Sequence, residues 1–418
     1  MAKLYKLNSF FSGIGGFDIG FENNGFKTQF LCEINPFCKD VLTTHWPKVL
    51  LKDDICTLNA EDIPDAPVWC GGFPCQDISV ARGASTRLGL KGKRSGLFYD
   101  YAQLVDAKKP DVVIIENVEG LFTSNGGRDF GVVLQTMTGL GYCVAWRLLN
   151  SRYFGVPQSR SRVYICCWRG NAIKALNVMF DSSGADKPEN ERKAFLLESN
   201  APGTFPVVPT VAYCLAASSG RHTGTDWSRT YVIAKDGVRR LTPLESERLQ
   251  GFPDNWTLPT NSNLEIEEMD TLRYTAIGNA VSIPVVEWIA KRVYEQLGSS
   301  EEDNNPNSIK ERIPEFAKAS WSKEPLQQID FSDESLTFKW PNGGLAMLDS
   351  FIGAKVSPTP GRIVSSKLID IIEKGQTSGR YFITPNAAEG ILRRVDRQGR
   401  TLFPPLRKAL EKERLKKS

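Results

Sequence analysis

A chain of 418 residues with 41% hydrophobic content can bury at least one full core, and its length predicts two or three domains. Every apolar run is shorter than a bilayer span, and Met1-Ala2-Lys3-Leu4-Tyr5-Lys6 lacks the apolar core of a signal peptide, so no membrane partner and a cytoplasmic location are expected. Nine cysteines without a CxxC pair or zinc-type spacing argue against a disulfide framework and a metal site, and a net charge of +4 does not by itself announce a nucleic-acid partner.

Through the first 168 residues, short apolar runs alternate with amphipathic stretches. Strands are expected at residues 4–10, 28–32, 68–71, 111–115, 143–149 and 162–168, and helices at 16–23, 36–45, 96–107 and 130–138. That alternation predicts an α/β domain with a Rossmann-like, doubly wound, mostly parallel sheet. Ligands of such a sheet sit at the carboxyl ends of its strands.

The residues at those ends are chemically distinctive. Phe11-Ser12-Gly13-Ile14-Gly15-Gly16-Phe17 joins the first strand to the first helix through three glycines, so that backbone N–H groups can approach a ligand closely. Glu33 follows the next strand, where an acidic residue can hold ribose hydroxyls, and Asp54 follows in Lys52-Asp53-Asp54-Ile55. Val68-Trp69-Cys70-Gly71-Gly72 leads into Phe73-Pro74-Cys75-Gln76; the proline stiffens the turn and polar residues come next, which predicts an exposed Cys75 thiol. Residues 79–95 then form a glycine-hinged basic loop, with Arg82, Arg87, Lys91, Lys93 and Arg94. Glu116-Asn117-Val118 closes the run Asp111-Val112-Val113-Ile114-Ile115, where a carboxyl group is costly unless paired or at a mouth. In Gln158-Ser159-Arg160-Ser161-Arg162, Arg160 and Arg162 share a face if extended, so both could reach one anionic pocket. His45 and His222 lie outside every such segment, which argues against histidine acid–base chemistry.

Taken in order, and with Gly278-Asn279-Ala280-Val281 late in the chain, these segments resemble the motifs of the C5-cytosine DNA methyltransferases over residues 4–289. The resemblance implies a class I methyltransferase fold with a smaller DNA-recognition lobe. It implies S-adenosylmethionine as cofactor, in a pocket lined by Phe11, Gly13, Gly15, Gly16, Glu33, Asp54, Ile55, Pro74, Leu97, Asn279 and Val281. Cys75, Glu116, Arg160 and Arg162 would be catalytic. The Cys75 thiolate attacks C6 of a flipped cytosine, Glu116 holds N3 and the exocyclic amine, Arg162 holds O2, and Arg160 orders the site and the nucleotide's backbone. Gln76, Ser79, Asn117 and Gln158 would stand on the DNA side, Asn117 also bracing the site. The implied partner is double-stranded DNA carrying a short defined sequence, bound by a monomer in restriction–modification or phage self-protection. A tRNA-directed enzyme of the same chemistry and a non-catalytic DNA-binding relative are the alternatives.

Beyond Trp168 the pattern becomes irregular, and residues 169–269 are expected to form the small lobe. Arg239-Arg240-Leu241-Thr242-Pro243-Leu244-Glu245 through Leu249-Gln250-Gly251-Phe252-Pro253-Asp254 resembles the family's ninth motif, with Thr242-Pro243 opening a helix that the Gly251 turn closes. Residues 270–297 return to complete the catalytic domain of residues 1–168. Too few residues precede the ninth motif for a large recognition domain. Residues 298–320 read as a linker, and 321–418 as a displaced recognition segment: Trp340-Pro341-Asn342-Gly343-Gly344, Tyr381-Phe382-Ile383-Thr384-Pro385 and Gly390-Ile391-Leu392-Arg393-Arg394 resemble one found in phage-type cytosine methyltransferases. Residues 391–418 carry ten basic and three acidic side chains, about +7, beside an expected helix at 385–397, which places Arg393 and Arg394 against DNA. A chain ending near Leu297 is expected to keep its sheet.

Overall fold

The structure is a computed structural model that describes residues 3–74, 96–182, 184, 186, 194–198, 204–219, 228–259, 265–301, 304–347 and 349–416. The strands are β1 (Tyr5–Phe10), β2 (Phe26–Cys32), β3 (Leu50–Lys52), β4 (Val68–Gly71), β5 (Val112–Val118), β6 (Tyr142–Asn150), β7 (Ser161–Arg169), β8 (Tyr231–Ala234), β9 (Gly237–Arg240), β10 (Gly343–Met347) and β11 (Ser350–Ala354). The helices are α1 (Gly16–Glu22), α2 (Pro36–His45), α3 (Leu97–Lys108), α4 (Arg128–Gly139), α5 (Ala172–Met179), α6 (Pro243–Gln250), α7 (Ile266–Asn279), α8 (Ile283–Gly298), α9 (Pro306–Arg312), α10 (Leu368–Ile371), α11 (Pro385–Arg397) and α12 (Pro404–Arg414). They group into two units, the first comprising Met1–Asn150, Ser161–Lys187 and Val285–Arg362, the second Ser151–Arg160, Pro188–Pro284 and Ile363–Ser418.

The first unit is built on a nine-stranded sheet of order β11-β10-β6-β7-β5-β4-β1-β2-β3. From β5 through β4, β1 and β2 to β3 every pairing is parallel. β7 and β10 run against the other strands. The sheet is thus mostly parallel and doubly wound, as the alternation of elements predicts. The reason is visible in β5, whose Val112-Val113-Ile114-Ile115 run is buried on both faces, the pattern of a strand covered by helices front and back. Because β2 and β3 lie on one side of β1 and β4 and β5 on the other, the chain reverses its direction of travel between β1 and β4. The crevice at such a reversal, beyond the carboxyl ends of the strands, is where open α/β sheets bind ligands.

Asp18, on α1, is fully buried, and it accepts hydrogen bonds from Ser9 Oγ at 3.0 Å and Thr28 Oγ1 at 3.1 Å. Burial pushes its carboxyl up from 3.8 to about 7 against those two bonds. The native state therefore binds this proton more tightly than the unfolded chain. The resulting stability is complete below about pH 4 and is lost as pH rises through about 7.

The C-terminal stretch departs from expectation. The proposed linker at 298–320 contains α9, and the block 321–418 divides, its first part to Arg362 belonging to the first unit and the rest to the second. β10 pairs antiparallel with β6, with Leu345 opposite Ala145, and Gly344 lies where any Cβ would collide with the Trp146 ring. Trp146 Nε1–H donates to Pro341 O at 3.0 Å and Trp340 Nε1–H to Gly127 O at 2.6 Å. Leu326, Ile329, Phe331 and Ala346 join the same apolar core as Phe130 and Trp146. The buried Arg147 guanidinium donates to the carbonyls of Met179, Ser357 and Thr359. Without residues 321–362, β6 becomes a bare edge beside an exposed aromatic cluster.

In the second unit, β8 and β9 form a hairpin whose Tyr231, Ile233 and Val238 pack with Ile383, Ala388, Ile391, Leu392, Val395, Phe403 and Leu406 from the C-terminal helices. An isolated hairpin is marginal in water, so α11 and α12 supply the apolar cover it needs. α6 starts as the sequence predicts: Thr242 and Glu245 form a capping box, Pro243 opens the first turn, and Gly251 closes the helix at φ 85°. Glu245 is also gripped by Arg239 through bonds of 2.8 and 2.7 Å.

Two expectations follow. Asp18→Asn removes the buried ionisation, so wild type should lose more thermal stability than the variant between pH 5 and pH 8; parallel Tm profiles would show that Asp18 ionises without cost. A chain stopped after Leu297, contrary to the sequence-based expectation, should aggregate or melt well below the full chain in a thermal scan, while an unchanged Tm would mean that residues 321–362 are a dispensable cover.

Candidate active site

At the end of β1 the backbone turns sharply: Phe11, Gly13 and Gly15 all adopt positive φ, at 50°, 55° and 81°. At Gly15 no side chain fits, because a Cβ would run into the Trp46 ring. Glu33, just past β2, accepts from Gly13 N–H at 2.7 Å and from Asn35 N–H at 2.8 Å, one bond to each carboxylate oxygen. The acid thereby fastens the glycine loop to the end of β2. A carboxylate has about four acceptor positions, so capacity for a hydroxyl ligand persists after these two bonds. Past β3, Asp54 Oδ1 accepts from Cys56 N–H at 3.0 Å and caps a short 3₁₀ turn that buries Ile55. Phe11 stands edge-on to Tyr101 with ring centroids 6.1 Å apart, Pro74 is exposed beyond β4, and Leu97 opens α3. The parallel pairing brings these first-unit residues to the carboxyl ends of β1–β4.

The second cluster lies at β4, β5 and β7. Glu116 is inside β5 rather than after it, 9% exposed, with Oε1 at 3.1 Å from Arg162 Nε. Arg162 pairs with Val118 across the ladder, two residues from Glu116, so both side chains emerge on the same face. Asn117 is buried and holds the neighbouring turn, its Nδ2 donating to Phe73 O at 3.0 Å and its Oδ1 accepting from Val118 N–H at 2.9 Å. A Cβ on Gly72 would stand 3.2 Å from both Glu116 O and Glu116 Oε2. The turn leading to Cys75 therefore passes directly against the carboxylate. Gly72 and the Phe73 carbonyl are features that motif reading did not single out; the Gly71-Gly72 pair straight after an apolar strand was the available signal.

Several sequence-predicted residues are placed otherwise. Arg160 is not on β7, which begins at Ser161; it belongs to the second unit, buried, donating to Leu215 O at 2.9 Å, Gly278 O at 3.2 Å and Ala280 O at 2.7 Å. It does not share a strand face with Arg162, and it fastens the turn that carries Asn279 and Val281. Gln158, expected on the DNA side, is fully buried: its Nε2 donates to Leu249 O at 3.0 Å and to Gln250 Oε1 at 3.2 Å, and its Oε1 accepts from Leu215 N–H at 2.8 Å. Asn117 likewise spends its amide on backbone. Asn279 is exposed at the end of α7 and Val281 is buried. Arg393 is exposed on α11, whereas Arg394 is half-buried with its guanidinium over Gly390. Cys75, Gln76, Ser79, Arg82, Arg87, Lys91, Lys93, Arg94 and His222 lie outside the described residues.

Burial pushes the Cys32, Cys38 and Cys143 thiols up to about 12, and Cys56 reaches the same value through desolvation and the Asp100 carboxylate. Cys70, Cys166 and Cys167 are raised by burial too. These seven are protonated near neutral pH and unsuited to nucleophilic attack. Among the described residues, no group of three or more His, Cys, Asp or Glu could hold a metal ion, and no helix is long and apolar enough to cross a membrane.

A mostly parallel sheet with a glycine loop after β1, an acid after β2 and a Glu–Arg pair beside the turn after β4 is the arrangement expected of a cytosine methyltransferase. The family model described as C-5 cytosine-specific DNA methylase matches residues 5–204 and 205–295. Type II methyltransferase M2.BsuMI of Bacillus subtilis is 31% identical over 311 residues, covering 70% of this chain and 76% of that protein. Type II methyltransferase M.NgoBI of Neisseria gonorrhoeae is 31% identical over 308 residues, covering 68% and 91%. The solved S. pombe Dnmt2 methyltransferase has a similar fold, with a TM-score of 0.51 at 19% identity over 71% of this chain and 100% of that one. The chain belongs to the C-5 cytosine-specific DNA methylase family, and it is an enzyme that methylates cytosine in DNA at C5. Residues 296–418 lie beyond the family match.

Gly72→Val would drive a branched side chain against Glu116. It should lower DNA methylation at least about tenfold, as expected when reacting groups are displaced by an ångström or so, with Tm little changed. Full activity in a methyl-transfer assay would show that the turn and Glu116 need not lie this close.

Proposed function

We propose that the protein uses S-adenosylmethionine to methylate C5 of a flipped cytosine within a short sequence of double-stranded DNA, through a covalent bond between Cys75 Sγ and C6. The observation that carries this reading is Glu116: a carboxyl group at 3.1 Å from Arg162, beside a turn that Gly72 and Asn117 hold two residues short of Cys75. As the Cys75 sulfur adds to C6, electron density moves toward N3 and O2 of the ring. Glu116 meets it at N3 and the exocyclic amine as a positioned acid, and Arg162 meets it at O2. C5 becomes enamine-like and nucleophilic, and after methylation it loses its proton as the C6–S bond breaks and the thiolate is restored. Arg160 serves as a positioning residue, through the backbone of residues 278–280.

The residues after β1, β2 and β3 fit the cofactor. Gly13, at positive φ with nothing within 4 Å of where a Cβ would stand, leaves room for a ligand beside the backbone, while Glu33 and Asp54 offer carboxylates for ribose hydroxyls and an adenine amino group. S-adenosylmethionine supplies an electrophilic methyl group on a sulfonium. Similarity to Type II methyltransferases supports a restriction–modification setting, and we infer a cytoplasmic enzyme that acts on DNA as a monomer. Gln76, Ser79, Arg393 and Arg394 are proposed on the DNA side, with Arg393 the better placed of the two arginines.

DNA in which 5-fluorocytosine replaces cytosine blocks loss of the C5 substituent. Wild type with S-adenosylmethionine should therefore form a protein–DNA complex that survives a denaturing gel, and Cys75→Ser should form none. An adduct with the variant would assign the nucleophile to another residue.

A further inference from the structure

Helix α11 is amphipathic in an unusual way. Ala388, Ile391, Leu392 and Val395 are buried against the β8–β9 hairpin and α12. Opposite them, Asn386, Gly390, Arg393 and Arg397 recur at spacings of four, three and four residues, and so line up in one stripe along the helix. Asn386, Arg393 and Arg397 are exposed. The stripe runs for about three turns, or roughly 16 Å.

One ordinary explanation falls short. The helix macrodipole favours cations in the last turn, which accounts for Arg394 and Arg397 but not for Asn386 and Arg393 in line with Arg397. Gly390 is half-buried beneath the Arg394 guanidinium, which a side chain at this position would crowd. Two acids stand nearby, Glu389 one turn before Arg393 and Asp396, which is paired with Arg407 at 2.8 Å; residues 385–418 carry ten basic and four acidic side chains, about +6. Arginine and asparagine are also the side chains that make bidentate bonds to guanine and adenine edges, and an α-helix fits the major groove of duplex DNA.

We infer that the exposed stripe Asn386, Arg393 and Arg397 is a major-groove reading face that selects the DNA sequence to be methylated. The inference rests on the DNA-methylating activity of this chain and assigns part of its sequence choice to a segment beyond the family match. It also separates Arg393, on the stripe, from Arg394 beside it.

Full-length wild type, Asn386→Ala, Arg393→Ala, Arg397→Ala and, off the stripe, Lys408→Ala are expressed in cells whose DNA is then sequenced after bisulfite conversion. Arg393→Ala or Asn386→Ala should relax the methylated motif at one or more positions, and Lys408→Ala should leave it intact. Retention of the wild-type motif by all three stripe variants overturns the proposal. If a stripe variant methylates too little to read, its binding to a duplex with the wild-type motif and to a scrambled duplex is compared. A preference reduced at least tenfold supports base reading, whereas equal weakening on both duplexes assigns the stripe to phosphates and overturns it. Absence of methylation by wild type itself would instead refute the enzymatic reading.

Discussion

Four parallel pairings, from β5 through β4, β1 and β2 to β3, are the constraint on which the catalytic unit depends. They fix the carboxyl ends of five strands along one border and reverse the winding between β1 and β4. Everything chemical in this unit is then a matter of what each strand releases there: a positive-φ glycine loop from β1, Glu33 from β2, Asp54 from β3, and the turn to Cys75 from β4. β7, inserted antiparallel beside β5, brings Arg162 to Glu116. A buried carboxylate needs such a partner, because desolvating it alone would be costly.

The C-terminal residues solve two separate problems in the two units. In the first, residues 321–362 close the edge at β6 with β10 and cover Trp146 and Phe130. In the second, α11 and α12 cover a hairpin that could not stand alone. These covers lie beyond the family match, which ends at residue 295, and the same helix that closes a core presents an asparagine–arginine stripe outward. A segment that stabilises a lobe on one face can serve recognition on the other, because helical periodicity separates the two sets of side chains.

How far this was legible in the sequence depends on the range of the interactions. The strand at Val68–Gly71 and the helices at Pro36–His45 and Pro385–Arg397 have the bounds that local signals predict: apolar runs ending in glycine, Asn35 or Thr384 as caps, and proline in the first turn. β10 was illegible, since Gly343-Gly344-Leu345-Ala346-Met347 has no strong strand propensity and exists as a strand through its pairing with β6, nearly 200 residues earlier in the chain. The placement of Gln158 and Arg160 was hidden for a similar reason. Both sit in a motif that points to chemistry, yet their partners at Leu215, Leu249 and Gly278 bind them into the fold, and nothing local reveals that. The Glu116–Arg162 pair was within reach of sequence reasoning as two separate motifs, but their contact required the antiparallel insertion of β7.

The central claim is that these strand ends assemble an S-adenosylmethionine-dependent enzyme for cytosine C5 in DNA. The most direct measurement supplies purified protein with cofactor labelled in the methyl group, offers duplex DNA and tRNA in parallel, and identifies the labelled nucleoside after digestion. The account predicts label in 5-methyldeoxycytidine from the duplex. Label confined to tRNA, or carried on an exocyclic nitrogen of the DNA bases, would contradict it.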